Sequence, residues 1–390
     1  MKILLFTTIY PGAEDYGVPA DTKAIHYFVR EWEKQGHEID IIYLYQNAIK
    51  RIKPQTMKEI FDGTEIDYAY ENVPVHLFRY QLLVPHANEL MPFQMTNFQT
   101  KVNRCVERLA LQPNLIIVHF PLSYIGFDFS RFHGCRKFAT FHNCDITGIE
   151  KFKLERTKFY LNQFDGFGCR SISIRSELNR RVDIKGSLVY SGISSGLIAD
   201  YNFIQRKAER NIDVMKIVFC GNLIPLKNVD ILIRTMKVVN FPYCLEIVGS
   251  GSEEKKLIRL VEEFDLGDHI RFLGRVTREE SIKHMKDADV FVMVSKPETF
   301  GLVYIEAMSQ GCLVVGSKNE GIDGVVKDGD NGFLVEPGNV EALKSTLEGI
   351  YRIGNEQKIN IILKAYKTAM SMTDELMASS YLDIAGRGIG

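Results

Sequence analysis

Apolar and polar positions along this chain fall into two alternating regimes: short runs of β-branched and aromatic residues, and longer stretches with apolar residues at helical spacing. Lys2 to Thr8 reads as a buried strand, and TKAIHYFVREWEKQ, Thr22 to Gln35, as an amphipathic helix closed by Gly36. Strands are predicted again at His37 to Tyr45, Val73 to Phe78, Leu115 to His119 and Lys137 to Phe141, with a helix over Phe98 to Leu111. Gln46 to Asn72, which carries Lys50, Arg51, Lys53 and Lys58, breaks the pattern and reads as a loop. Glu150 to Gln163 reads as a partly basic helix, with Lys151, Lys153, Arg156 and Lys158 interleaved with Phe152, Leu154, Phe159, Tyr160 and Leu161.

Periodicity lapses between Ser191 and Asp213, which is expected to be a linker with its hinge near Gly192 to Gly196. Beyond it, strand, turn and helix recur four times. Met215 to Cys220 precedes a helix over Val229 to Val239, and Leu245 to Gly251 precedes Glu253 to Phe264. Ile270 to Gly274 precedes Arg278 to Ala288, and Ala288 to Val294 precedes a helix opening at Gly301. Alternation of this kind predicts an α/β protein of two Rossmann-like domains, residues 1–190 and 214–365, joined by 191–213 and followed by a helical stretch at 366–390. The length agrees, since 390 residues exceed one ordinary domain.

The fourth turn, Ser295 to Gly301, holds the most pointed chemistry. It lies at the carboxyl end of a strand, where open α/β sheets bind ligands, and the helix after it offers free backbone N–H groups and a positive dipole end to an anion. Glu298 sits just before that helix and Glu306 about one and a half turns inside it, on the order of 10 Å apart at 1.5 Å rise per residue. On the first turn of the same half, Gly221 permits close backbone approach and Lys227 can set an ammonium on a diphosphate. Val248-Gly-Ser-Gly251 lacks the third glycine of a dinucleotide fingerprint, which argues against a dehydrogenase.

The segment PETFGLVYIEAMSQGCLVVGSKNEGIDGVVKDGDNGFLVEPGNVEAL resembles the donor-binding signature of retaining glycosyltransferases of the GT-B fold, glycosyltransferase family 4 in particular. The likeness is strong from Val214 to Leu343 and weaker in the amino-terminal half. It implies two Rossmann-like domains facing each other across a deep cleft, with the last helix crossing back to the first domain. It also implies transfer of a sugar from a nucleoside diphosphate donor, UDP-sugars favoured, to an acceptor hydroxyl by front-face attack, with no cofactor. In that family the first Glu of the pair contacts the donor sugar and the second the ribose, positions matched by Glu298 and Glu306. The resemblance puts Gly221 and Lys227 at the diphosphate, Thr299, Phe300, Gly301, Leu302 and Val303 along the donor, and Arg275 and Val276 beside the base. It puts His142, at the end of a first-domain strand, near the donor sugar; Asp21, His119 and Asp145 are weaker candidates for an acceptor hydroxyl. Asn222 departs from the pattern, because the family usually carries Arg there, and losing one cation from a partly desolvated site costs about 2 kcal/mol. Arg170, Arg175, Arg275 and Lys23 are candidates to replace it.

Composition narrows the setting. A net charge of −1 argues against a nucleic-acid partner, and seven scattered cysteines without metal or disulfide spacing point to a reducing, cytoplasmic compartment. The His residues are dispersed, so no metal is expected. No stretch approaches the roughly 20 apolar residues of a spanning helix, so membrane contact would be peripheral. Residues 1–190 carry 24 basic against 21 acidic side chains and residues 191–390 carry 24 against 28, which tilts the acceptor side toward an anionic or lipid-borne glycan. Capsule, O-antigen or exopolysaccharide synthesis is the favoured setting. Two rivals stay open: a non-catalytic nucleotide-sugar-binding partner subunit, kept alive by Asn222, and a GT-B nucleotide-sugar isomerase.

Overall fold

A computed structural model describes residues 1–19, 22–48, 60–82 and 90–388 of the chain. They form two compact units, one of Met1–Arg170, Ile174–Tyr190 and Met377–Gly390, the other of Ser171–Ser173 and Ser191–Leu376.

In the first unit β1 (Lys2–Thr7), β2 (Glu38–Ala48), β3 (Thr64–Tyr70), β4 (Val73–Leu82), β5 (Leu115–His119), β6 (Arg136–Phe141), β7 (Gly166–Cys169) and β8 (Ser187–Leu188) form one sheet. Its order is β3-β4-β2-β1-β5-β6-β7-β8, parallel throughout except for the antiparallel edge pair β3 and β4. Helices cover both faces, which is why β5, LIIVH, is buried at every position instead of alternating. On one face α1 (Ala24–Lys34) packs Ile25, Phe28 and Trp32 into the core. On the other, α2 (Pro92–Arg108), α3 (Asn143–Ile149), α4 (Leu154–Leu161) and α5 (Ile172–Val182) bury Phe98, Val102, Ile146, Tyr160, Leu161 and Leu178.

The second unit is a six-stranded parallel sheet of β9 (Met215–Cys220), β10 (Tyr243–Val248), β11 (Ile270–Gly274), β12 (Val290–Val292), β13 (Leu313–Ser317) and β14 (Phe333–Val335), in the order β11-β10-β9-β12-β13-β14. Its helices are α6 (Tyr201–Glu209), α7 (Val229–Met236), α8 (Glu254–Glu263), α9 (Arg278–Asp287), α10 (Leu302–Ser309), α11 (Val340–Tyr351) and α12 (Asn355–Met370). The chain winds outward from β9 in one direction, returns, and winds out the other way from β12. The loops after β9 and β12 therefore part, and a crevice opens at their carboxyl ends, the usual ligand site of such sheets.

The last helix, α13 (Asp374–Ala385), carries the chain out of the second unit, and from Met377 onward it belongs to the first. There Ala378, Tyr381, Leu382 and Ala385 join the core beside α1, and the Trp32 indole donates to the Ala378 carbonyl at 2.9 Å.

Three stretches differ from the sequence-based expectation. The supposed linker 191–213 contains α6, capped by Asp200, which accepts from the Asn202 and Phe203 amides, and held by the buried Ile204 and Lys207. The single helix expected from Tyr366 is two helices, α12 and α13, broken at Ser371 to Thr373. Part of the Gln46 to Asn72 stretch is β3, whose exposed and half-buried positions alternate as an edge strand requires; Lys50, Arg51, Lys53 and Lys58 lie outside the described residues.

Close approach between neighbouring strand ends sets the crevice floor. Gly249, just past β10, has φ +139°, and a Cβ there would stand 1.9 Å from the Gly221 carbonyl oxygen. Gly249→Ala is expected to lower the unfolding free energy by at least about 2 kcal/mol through this clash and the strained backbone, read as a shift of the urea midpoint with nucleotide absent. An unchanged midpoint would show that the two turns part without cost.

Candidate active site

The crevice between β9 and β12 is spanned by three bonds. The Lys227 ammonium meets a Glu298 carboxylate oxygen at 2.5 Å, the Asn228 side-chain amide donates to the Val294 carbonyl at 2.8 Å, and the Lys296 amide donates to the Leu226 carbonyl at 2.8 Å. The two charged side chains are mostly shielded, 20% and 12% exposed, so each neutralises the other in a setting where a lone charge would be costly. A second acid enters from the neighbouring turn, where Glu320, after β13, accepts the Glu298 backbone N–H at 2.8 Å. Burial pushes the Glu320 carboxyl up from its ordinary value.

Gly301 ends this turn at φ +84°, and a Cβ there would come 2.7 Å from the Tyr304 ring, so only glycine suits the entry to α10. Leu302 and Val303 open the helix half-buried, and the first amides of an α-helix have no intrahelical acceptor. Glu306, 8% exposed on the same helix, accepts from the Arg278 guanidinium at 2.6 Å. Gly221, Asn222, Lys227, Glu298, Thr299, Phe300, Gly301, Leu302 and Val303 thus share the carboxyl ends of β9 and β12, with Glu306 behind them. Asn222 is exposed there. Arg275 and Val276 follow the edge strand β11, two strands away from β9, and Arg275 is exposed.

The first unit holds a separate cluster. His142, at the N-cap of α3, bonds through Nε2 to Nδ1 of His119 at 3.0 Å, and His119 Nε2 meets the Tyr381 hydroxyl at 3.1 Å. The Tyr381 hydroxyl also bonds the Thr140 hydroxyl, and the Phe120 ring stacks on His142 at 3.9 Å between centroids. Burial, with the Arg170 charge adding to it, holds both imidazoles well below the ordinary histidine value, so both are neutral at pH 7. His119 is fully buried and bonds through both ring nitrogens to these neighbours. Asp145 accepts the His142 amide at 2.8 Å and the Leu122 amide at 3.2 Å, and burial pushes its carboxyl up to about 7. It lines a cavity of about 330 Å³ together with Thr8, Ile9, Gln46, Leu122 and Lys151. That volume lies at the small end of ligand pockets, roughly 300–1,000 Å³. Asp21 falls outside the described residues.

Residues 200–368 match the sequence profile of the glycosyl transferases group 1 family. N-acetyl-alpha-D-glucosaminyl L-malate synthase of Bacillus anthracis is 25% identical over 353 residues, covering 87% of this chain and 85% of the relative. The chain thus carries a glycosyl transferases group 1 region and is similar to glycosyltransferases over most of its length. Its fold is shared with sucrose-phosphate synthase from Thermosynechococcus elongatus, at a TM-score of 0.72, 19% identity and 97% coverage of both chains. Anabaena HepE in complex with UDP and glucose superposes at a TM-score of 0.67, with 18% identity and 98% coverage of both chains.

Three residues that contact the candidates were passed over by sequence reasoning. Arg278 was hidden as the first residue of a polar helix, Glu320 as one acid in a turn, and Tyr381 by its sequence separation of 262 from His119. Two of the candidate replacements for the missing Arg are committed elsewhere. Arg170 donates to the Val189 carbonyl at 2.7 Å and lies over the Phe28 ring, while Lys23 pairs with Glu71 at 3.6 Å and lies over Tyr70.

Tyr381→Phe deletes the hydroxyl that His119 and Thr140 share and leaves both without that partner in the core. Stability is expected to fall by about 1–3 kcal/mol in urea titration. In the unchanged protein the ring signals of His119 and His142 should stay those of neutral imidazole as pH falls from about 8 to about 6. Titration of either ring near its ordinary value would contradict the buried array.

Proposed function

We propose that this transferase moves a sugar from a nucleoside diphosphate donor, UDP favoured, to an acceptor hydroxyl with retention at the anomeric carbon. The bond from that carbon to the diphosphate breaks, the acceptor oxygen bonds on the same face, and the acceptor proton passes to the departing phosphate oxygen. Lys227 and the amides of Gly301 to Val303 meet the charge that builds on the diphosphate. Glu298 orients the donor sugar and Glu306 holds the ribose, with His142 as the first unit's candidate to support the developing oxocarbenium ion. The acceptor is a glycan or lipid-linked glycan received in the first unit, in capsule, O-antigen or exopolysaccharide assembly.

The observation that carries this reading is the Lys227 and Glu298 contact, made at the reversal point of the strand order and beside the N-terminus of α10. HepE, which shares the fold, has been seen with UDP and glucose, and this favours UDP. A diphosphate entering the crevice would take Lys227 from Glu298 and leave the carboxylate to accept from sugar hydroxyls.

Two variants separate the roles. Glu306→Ala is expected to weaken UDP binding about tenfold by calorimetry. Glu298→Ala removes a competitor for Lys227, so UDP affinity should hold or rise while kcat falls by about 100-fold. Equal loss of UDP affinity in both variants would refute the assignment. UDP binding without turnover against a panel of acceptors would favour the partner-subunit reading that Asn222 leaves open.

A further inference from the structure

In the first unit α4 lies on the surface with Thr157, Tyr160 and Leu161 buried beneath it. Its outward side is unusual. Phe159 is 78% exposed, more than any other large apolar side chain among the described residues, and Leu154 is 42% exposed. Around them Lys151, Lys153, Arg156 and Lys158 all reach solvent, against Glu155 alone, because Glu150 is paired with Arg181. An exposed phenylalanine by itself carries no message. A bare aromatic ring and a leucine inside a collar of net positive charge match the interfacial zone of an anionic bilayer, where rings enter the headgroup boundary and ammonium groups meet phosphates.

The patch is continuous with the cavity of the first unit. Lys151 and Phe152, which lead into α4, also line that cavity, and the Arg156 guanidinium lies 5.6 Å from the Phe152 ring centre. Arg156 and Phe159, three residues apart on α4, share its outward face, and the Arg156 contact with Phe152 joins that face to the cavity rim.

We infer that the outward face of α4 docks this protein on an anionic lipid surface, and that the cavity at its amino end receives an acceptor group carried by that surface. The second half rests on the transferase reading; the first does not. With three net positive charges at the patch, binding should differ about a hundredfold between anionic and neutral vesicles.

The full chain is incubated with vesicles of phosphatidylcholine alone and with vesicles in which roughly a third is phosphatidylglycerol, then sedimented. Binding to the second and not the first is expected, with release at about 0.5 M salt. Phe159→Ser and the pair Lys153→Glu, Lys158→Glu should each cut vesicle binding at least tenfold while leaving the melting temperature and the UDP-induced thermal shift in place. Equal binding to both vesicle types, no binding to either, or variants that bind like the parent would overturn docking. A dimer in light scattering that Phe159→Ser dissolves would also overturn it, by making the patch an interface between copies. Vesicle binding without a UDP thermal shift would sink the UDP-donor reading and leave docking intact.

Discussion

Parallel strands all end on the same edge of their sheet, and in the second unit that constraint decides where chemistry can occur. β9 and β12 are neighbours whose following loops run apart, and the space between is bridged by the Lys227 to Glu298 contact and two bonds to backbone carbonyls. Two shielded charges at 2.5 Å satisfy each other but remain exchangeable, since an anion with better geometry can displace the carboxylate. In the proposed reaction the same pair therefore serves twice, holding the turn in shape when empty and dividing into an anion ligand and a hydroxyl acceptor when the donor arrives.

The first unit is organised by a different dependence. Its candidate histidine is oriented through His119 by Tyr381, a residue of the last helix. The neutral state of both rings follows from burial that α13 helps to provide, with Tyr381 and Leu382 in the core beside Phe28 and Trp32. A terminal helix thus contributes to the stability of the unit and to the aim of one ring inside it.

Much of this was legible in the sequence where the pattern is local. β5, β9 and β11 were found at their true bounds because Ile, Val and Phe runs bounded by turns have few alternative readings. The start of α2 was set six residues late, since Pro92 to Gln94 reads as a turn although Pro suits the first helical position and Gln94 caps the Met91 amide. α6 was missed because Lys207, whose ammonium reaches the Met285 and Gln310 carbonyls, makes a buried face look polar. The acidic pair was legible as spacing within one segment. Its partners Lys227, Arg278 and Glu320 come from other loops, and the bonds that join them exist only once the sheet order brings those loops together.

The missing arginine bears on how the diphosphate is neutralised. Arg170 is buried on the first sheet and donates to a carbonyl, Lys23 already has Glu71, and Arg275 stands at the edge strand β11, two places from the crevice. Arg278, the cation in contact with the second acid of the pair, is bound to Glu306. Lys227, the exposed Lys296 on the same turn and the open amide end of α10 are the positive groups at the carboxyl ends of β9 and β12. A helix end supplies about half an elementary charge and requires no side chain to be ordered or desolvated. In the proposed reaction, with Asn222 in place of a cation, stabilisation of a departing diphosphate would shift from side chains toward backbone. That makes the glycine at 301, which alone fits the entry to α10, as consequential for the chemistry as either acid.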